Sequence, residues 1–301
     1  MAVDPLSQVI ALLKPRAVFS KVISGAGRWG VRYTQFGLPS FCALLEGSCL
    51  LSVDGAETLT LTAGDFVLLP TTPGFTMTSL EPGTPVPIDA RKAAMDTSGS
   101  EIRHGARGGR PEVRMLGGYF EFDSPDSAML VSLLPAVLHV RGSQKLPLLT
   151  QMVREESLDR RPGRELVLTR LVEVLLVESL RTTSGEEAPP GLLRGLADKR
   201  LAAAFRHMHG DPARGWTVEQ LARKSALSRS AFFDRFSRAV GMPPMEYLLS
   251  WRMALAKQLL RREELAIAEV AERVGYGSAS TFSTAFSRHV GQPPGKFARM
   301  H

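Results

Sequence analysis

The chain has 301 residues, two cysteines and a formal net charge of +7 at pH 7. That length has room for two domains, and two cysteines are too few for a disulfide framework. Residues 191–301 hold 18 Lys/Arg against 9 Asp/Glu, whereas residues 1–190 hold 19 against 21. The positive excess therefore belongs to the C-terminal third, where a polyanionic partner is expected.

Met1–Arg16 carries Asp4 and Pro5 where a basic leader would stand, so no signal peptide is expected. Residues 17–80 read as short strands separated by turn signals, which predicts a small β-barrel or jelly roll. Phe41–Leu45 and Leu50–Val53 flank Glu-Gly-Ser and are predicted to form a hairpin; Asp54-Gly55 marks a second turn, and Ala63-Gly64-Asp65 a third. A hairpin pairing Leu45 with Ser48 would place Cys49 across from Leu44, with Cys42 as its diagonal neighbour at roughly 7–8 Å. That spacing makes Cys42 and Cys49 a candidate redox sensor; the alternative is a pair of small buried hydrophobes. Residues 81–112 are rich in Gly, Pro and charge and read as an insertion in the barrel, or as a lid. His104 and His139 have no second ligand at useful spacing, so no metal is expected.

Residues 145–181 predict two helices. Leu166–Leu180 is apolar on more than one face, which points to packing against a second copy or within the sensor. Thr169, Arg170, Glu173 and Glu178 interrupt it, so it does not span a membrane. Residues 182–197, opening on Thr-Thr-Ser-Gly-Glu-Glu-Ala-Pro-Pro-Gly, read as a linker.

Residues 217–297 contain one block twice. Residues 232–247 and 282–297 are identical at 8 of 16 positions: Phe232, Phe236, Ser237, Arg238, Val240, Gly241, Pro243 and Pro244 each recur fifty residues later. Each copy predicts a short amphipathic helix, a tight turn and a second helix opened by a serine cap. The Phe-Phe-Val stripe at i, i+4, i+8 marks the buried face. Gly-x-Pro-Pro ends each unit. Met245–Arg262 predicts a long helix between the copies. It leaves no flexible linker, so two recognition helices can enter successive major-groove segments roughly 34 Å apart.

Val274–Phe297 (VGYGSASTFSTAFSRHVGQPPGKF), with its first copy and the connecting helix, resembles the AraC/XylS class of bacterial transcription regulators. Gly-Ser-Cys-Leu-Leu-Ser-Val-Asp-Gly, Ala-Gly-Asp-Phe-Val-Leu-Leu-Pro and Gly-Gly-Tyr-Phe-Glu-Phe resemble the cupin sensor domain of one subgroup. The resemblance implies an α+β chain. A cupin-like β-barrel with trailing helices would occupy residues 1–181 and a linker residues 182–197. An all-α domain with two helix-turn-helix units joined by a long helix would occupy residues 198–301. It implies a cytoplasmic regulator, most often an activator, whose partners are promoter double-stranded DNA, RNA polymerase, a small-molecule or redox effector and a second copy of itself. No cofactor and no catalytic residue are implied.

The resemblance also suggests the reading faces. Arg229, Ser230, Phe233 and Asp234 on the first recognition helix, and Ala279, Ser280, Ser283 and Thr284 on the second, point away from the buried stripes. Arg reads guanine, Asp accepts from cytosine and Phe touches a thymine methyl, whereas the second helix has only short side chains for direct readout. Arg238, Arg288, Lys296 and Arg299 are candidates for phosphate contact, and Arg252 for a structural pairing within the connecting helix. Related cupins often carry His where this chain has Cys42, Thr71, Phe75 and Tyr119, so metal-dependent chemistry is not expected. The alternatives are a cupin enzyme fused to a DNA-binding module and a DNA-architectural protein without a signal input.

Overall fold

A computed structural model describes residues 4–13, 15–35, 37–89, 101–122, 131, 134–158, 161–183, 190–262 and 265–299. The chain divides into two compact units. One is built on residues 14–123 and 135–183, the other on residues 184–301 together with residues 1–13 and 124–134.

The first unit is a two-sheet barrel. A six-stranded sheet has the order β11-β6-β3-β10-β1-β9. These are β1 (Pro15–Ala26), β3 (Ser40–Glu46), β6 (Phe66–Leu69), β9 (Glu101–Gly105), β10 (Val113–Phe122) and β11 (Leu138–Val140). A five-stranded sheet has the order β5-β4-β7-β2-β8. These are β2 (Gly30–Tyr33), β4 (Ser48–Val53), β5 (Leu59–Thr62), β7 (Phe75–Thr78) and β8 (Val86–Ile88). Alternation on β4 sends Cys49, Leu51 and Val53 inward, where they meet Trp29, Leu44, Val67 and Met115 in one apolar cluster. β6 is buried at all four residues, as a strand covered on both faces requires. Its neighbours are roofed by α2 (Lys145–Leu158) and α3 (Arg164–Thr183), which pack on β1, β3, β10 and β11.

Two expectations fail here. Glu46-Gly47-Ser48 is a corner between the sheets rather than a hairpin: β3 pairs with β10 and β6, and β4 with β5 and β7. Gly47 takes φ 78°, and a Cβ there would collide with the Glu112 carbonyl, so the corner needs glycine. Cys49 therefore opposes Leu61, and Cys42 opposes Gly117 and Val67; the diagonal relation between the cysteines does not exist. The expected insertion at 81–112 supplies two edge strands. β8 runs parallel to β2 and β9 parallel to β1, while residues 90–100 lie outside the described residues.

The second unit is helical: α1 (Pro5–Leu13), α4 (Leu192–Ala197), α5 (Leu201–Gly210), α6 (Val218–Lys224), α7 (Arg229–Val240), α8 (Pro244–Arg262), α9 (Ile267–Arg273), α10 (Ala279–Val290) and α11 (Pro294–Arg299). Phe205, Phe236 and Tyr247 pack with ring centroids 5.0–5.9 Å apart around the first repeat, Phe205 stacked on Phe236 and Tyr247 edge-on to both. Phe282, Phe286 and Phe297 fill the second, with Met253, Ala256 and Leu260. Because α8 supplies Tyr247 to one core and Met253 to the other, the two repeats share one rigid helix. Residues 5–13, expected with the barrel, pack instead on α5 and α8 and bury Leu6, Val9, Ile10, Leu12 and Leu13. Leu192–Ala197, expected in the linker, is a helix whose Leu192 and Leu193 are buried; residues 184–189 lie outside the described residues. Among the described residues no helix is long and apolar enough to cross a membrane.

Candidate functional site

The two second helices of the repeats, α7 and α10, are both twelve residues long and are started and stopped by the same devices. Ser228 Oγ accepts from the Ala231 N–H at 3.3 Å, and Ser278 Oγ from the Thr281 N–H at 3.2 Å. Gly241 (φ 84°) and Gly291 (φ 83°) close them in the left-handed conformation. The first helices differ. α6 opens on a capping box in which Thr217 and Gln220 satisfy each other's backbone, while α9 opens on Ala266 with no side-chain cap.

With Phe232 and Phe236 buried, Arg229, Ser230, Phe233 and Asp234 are exposed together on the opposite face of α7. Phe233 is 41% exposed, so its ring is open to contact with an apolar group outside the protein. On α10, Ser280 and Thr284 are exposed and Ala279 and Ser283 half-buried. Ser280, Thr284 and Arg288 line an open cleft beside Glu246 and Ser250 of α8. The Thr284 hydroxyl donates to the Ser280 carbonyl at 3.1 Å, so its oxygen is left to accept. Arg238, Arg288, Lys296 and Arg299 are all exposed, and among the described residues their side chains have no hydrogen bond or ion pair. Arg229 and Asp234 are equally uncommitted.

Three positioning residues escape a reading by local pattern. Arg235 on α7 pairs through Nε with Asp198, which follows α4. Burial pushes the Asp198 carboxyl up, but hydrogen bonds from Arg235 and the Leu201 and Arg200 N–H groups outweigh it and hold it below its ordinary value. Arg252, expected to pair within its own helix, instead donates to the Pro212 and Arg214 carbonyls, both at 2.8 Å. Gly275 (φ 85°) lies against the same loop, and a Cβ there would collide with the Ala213 carbonyl. The loop before the first repeat is thus clamped by the shared helix and by the turn of the second.

In the barrel, a cavity of about 100 Å³ opens between the sheets. Cys42 lines it, and Cys49 is wholly buried. Burial raises both thiols, Cys49 to about 12, so both are protonated at neutral pH. His139 Nε2 lies 3.1 Å from Asp65 Oδ2. Asp65 also accepts from the Thr62 and Gly142 N–H groups, and these bonds outweigh burial to lower its carboxyl. Among the described residues no group of three His, Cys, Asp or Glu side chains could hold a metal ion.

Two protein families match the chain, and the first of them takes in α1, which packs with the helical unit. The family described as Cupin matches residues 4–184, and that described as Helix-turn-helix domain matches residues 221–300. An AraC-like transcription regulator of Streptomyces lividans is 36% identical over 304 residues, covering 98% of each chain. Another, from Streptomyces antibioticus, is 34% identical over 303 residues with the same coverage. Among solved structures, the C-terminal domain of the two-component response regulator yesN from Fusobacterium nucleatum is 29% identical, covers 32% of this chain and 93% of that one, and has a TM-score of 0.31. The chain belongs to the AraC-like family of DNA-binding transcription regulators, with an N-terminal cupin unit and a C-terminal pair of helix-turn-helix units.

Proposed function

We propose that the chain binds a bipartite promoter site, reading bases mainly through α7 and using α10 for positioning and shape. The observation that carries this reading is the exposed set Arg229, Ser230, Phe233 and Asp234, with Arg229 and Asp234 uncommitted, on a helix held from behind by Phe232, Phe236 and Asp198. Arg238, Arg288, Lys296 and Arg299 neutralise phosphates. The barrel is a sensor without catalytic activity, the protein works in the cytoplasm where its DNA is, and the bound state recruits RNA polymerase. The effector is a small molecule in the cavity. An oxidant acting at Cys42 and Cys49 is disfavoured because protonated thiols lack the nucleophile that oxidation needs. Footprinting on DNA upstream of the gene tests the assignment. A protected bipartite segment is expected, whose base preference is relaxed by Arg229→Ala. Equal protection of unrelated sequences would leave only an architectural role.

The protein acts as a homodimer through α2 and α3. Leu148 and Met152 on α2, and Leu166, Val167 and Val174 on α3, are exposed large apolar side chains on one packed helix pair. Sedimentation checks this: Leu166→Glu with Val174→Glu should convert a dimer to a monomer, and a wild-type monomer at micromolar concentration would refute it.

A further inference from the structure

We propose that the barrel cavity takes a small uncharged molecule with an apolar body and one hydroxyl group, and rejects carboxylates and ammonium ions of the same size. The proposal rests on the reading of the barrel as effector-binding unit and goes beyond it in naming the chemical class.

Size comes first. A cavity of about 150 Å³ holds benzene, so the ≈100 Å³ here suits a body of only a few carbon atoms. Its walls are mostly apolar, among them Ile23, Leu51, Phe75, Met77 and Met115, and among the described residues no Asp, Glu, Lys, Arg or His side chain lines it. A charged ligand would be desolvated with no counter-charge to meet it. The cavity's own groups register the same medium, since burial pushes the Tyr33 hydroxyl up to about 12 and raises Cys42 as well.

The hydroxyl follows from proton bookkeeping at one end. Thr72 Oγ1 contacts the Leu38 carbonyl and lies 2.7 Å from Ser40 Oγ. Thr72 is the donor toward Ser40 Oγ as well as toward the Leu38 and Leu69 carbonyls, one proton shared among three acceptors. Ser40, which lines the cavity, therefore keeps its own proton as well as a lone pair. The wall presents a hydroxyl there, and an alcohol O–H, donor and acceptor in one group, is the neutral group that matches it. Thr72 is held at φ 37°, a left-handed conformation that threonine rarely adopts. Such strain persists where surrounding contacts impose it and is common at ligand clamps.

The test uses the full chain with carbon-13 methionine methyls, because Met77 and Met115 report from the wall. The probes are 1-butanol, butyrate and butylammonium. Saturable shifts of both methyls are expected with 1-butanol, and binding weaker by roughly tenfold or more is expected for the two ions. Cys42→Met, which fills the cavity, should abolish the response while thermal unfolding stays cooperative; Leu51→Phe serves if that variant fails to fold. Ions binding as well as the alcohol, or methyls silent to all three probes, would overturn the proposal. Footprinting on the same preparation separates the two readings. Silent methyls with a retained footprint reject the ligand class alone. Methyl shifts without any footprint reject the regulatory reading and leave the ligand class standing.

Discussion

Arg252 Nε donates to the Pro212 carbonyl at 2.8 Å, joining residues 40 apart in the sequence. Its Nη2 donates to the Arg214 carbonyl at the same distance, so one guanidinium fixes the loop that leads into the first repeat. Arg252→Met keeps the side-chain bulk and leaves two carbonyls without a donor, a loss of about 1–3 kcal/mol. Urea denaturation should show that loss. Affinity for a complete bipartite DNA site should fall more than affinity for either half-site, since the clamp sets how the two repeats stand together. Equal losses on half and whole sites would reduce Arg252 to a stability residue.

The turns within the repeats predict an asymmetry. Ala226 sits at φ 52° where the second copy has Gly275 at φ 85°. A side chain in that region costs about 1–2 kcal/mol, while glycine gives back roughly 0.5–1 kcal/mol through the unfolded chain. Ala226→Gly should therefore stabilise by about 0.5 kcal/mol. Gly275→Ala should destabilise by well over about 1 kcal/mol, since strain and the Ala213 carbonyl both oppose it. Ala266→Asp, supplying the cap that α9 lacks, should add about 0.5–1 kcal/mol. Thermal melts of the three variants check these signs, and destabilisation by Ala226→Gly would contradict the alignment of the turns.

Acid should weaken the helical unit through His209. Burial lowers this imidazole from its ordinary 6.5 to about 3, against a smaller upward pull from Asp4. In its neutral form, Nδ1 donates to Gln8 Oε1 at 3.0 Å and Nε2 accepts from the Tyr247 hydroxyl at 2.7 Å. The unfolded chain binds the proton at pH values where the fold refuses it, so the stability present above pH 6.5 is lost as pH falls toward 3. At pH 5 the loss is about 2 kcal/mol. Denaturation midpoints from pH 7.5 to 5 should fall for the wild type and flatten for His209→Gln. Parallel curves would mean that another group titrates.

What the sequence makes legible is what repeats or alternates locally. The two copies announce themselves because each needs the same buried Phe-Phe pair and the same serine and glycine caps. The reading faces follow once those pairs are assigned to the core. The corner at Gly47 is not legible, because a hairpin and a turn between sheets both ask for a left-handed glycine; only the pairing of β3 with β10 distinguishes them. Nor does α1 disclose its destination, since nine residues with six buried apolar side chains demand a surface without naming it. Arg235 with Asp198, 37 residues apart, and Arg252 with Pro212 join positions that no short-range pattern connects.

Base reading and phosphate neutralisation make separable predictions on α7. Arg229 near its start is exposed and uncommitted on the proposed reading face, whereas Arg238 near its end stands beside the Gly241 cap. If Arg229 makes a bidentate contact with guanine, Arg229→Ala should cost about 1–3 kcal/mol on the preferred site and relax selectivity at one base pair. If Arg238 meets a phosphate, Arg238→Ala should weaken all sequences alike and reduce the slope of log affinity against log salt by about 0.9. Affinity is measured on the preferred and one-base-changed sites at several salt concentrations. Lys296→Ala and Arg299→Ala should follow Arg238, because they too are exposed and uncommitted. Uniform weakening by Arg229→Ala with a smaller salt slope would move Arg229 to the backbone. Discrimination would then fall to Asp234 and Phe233.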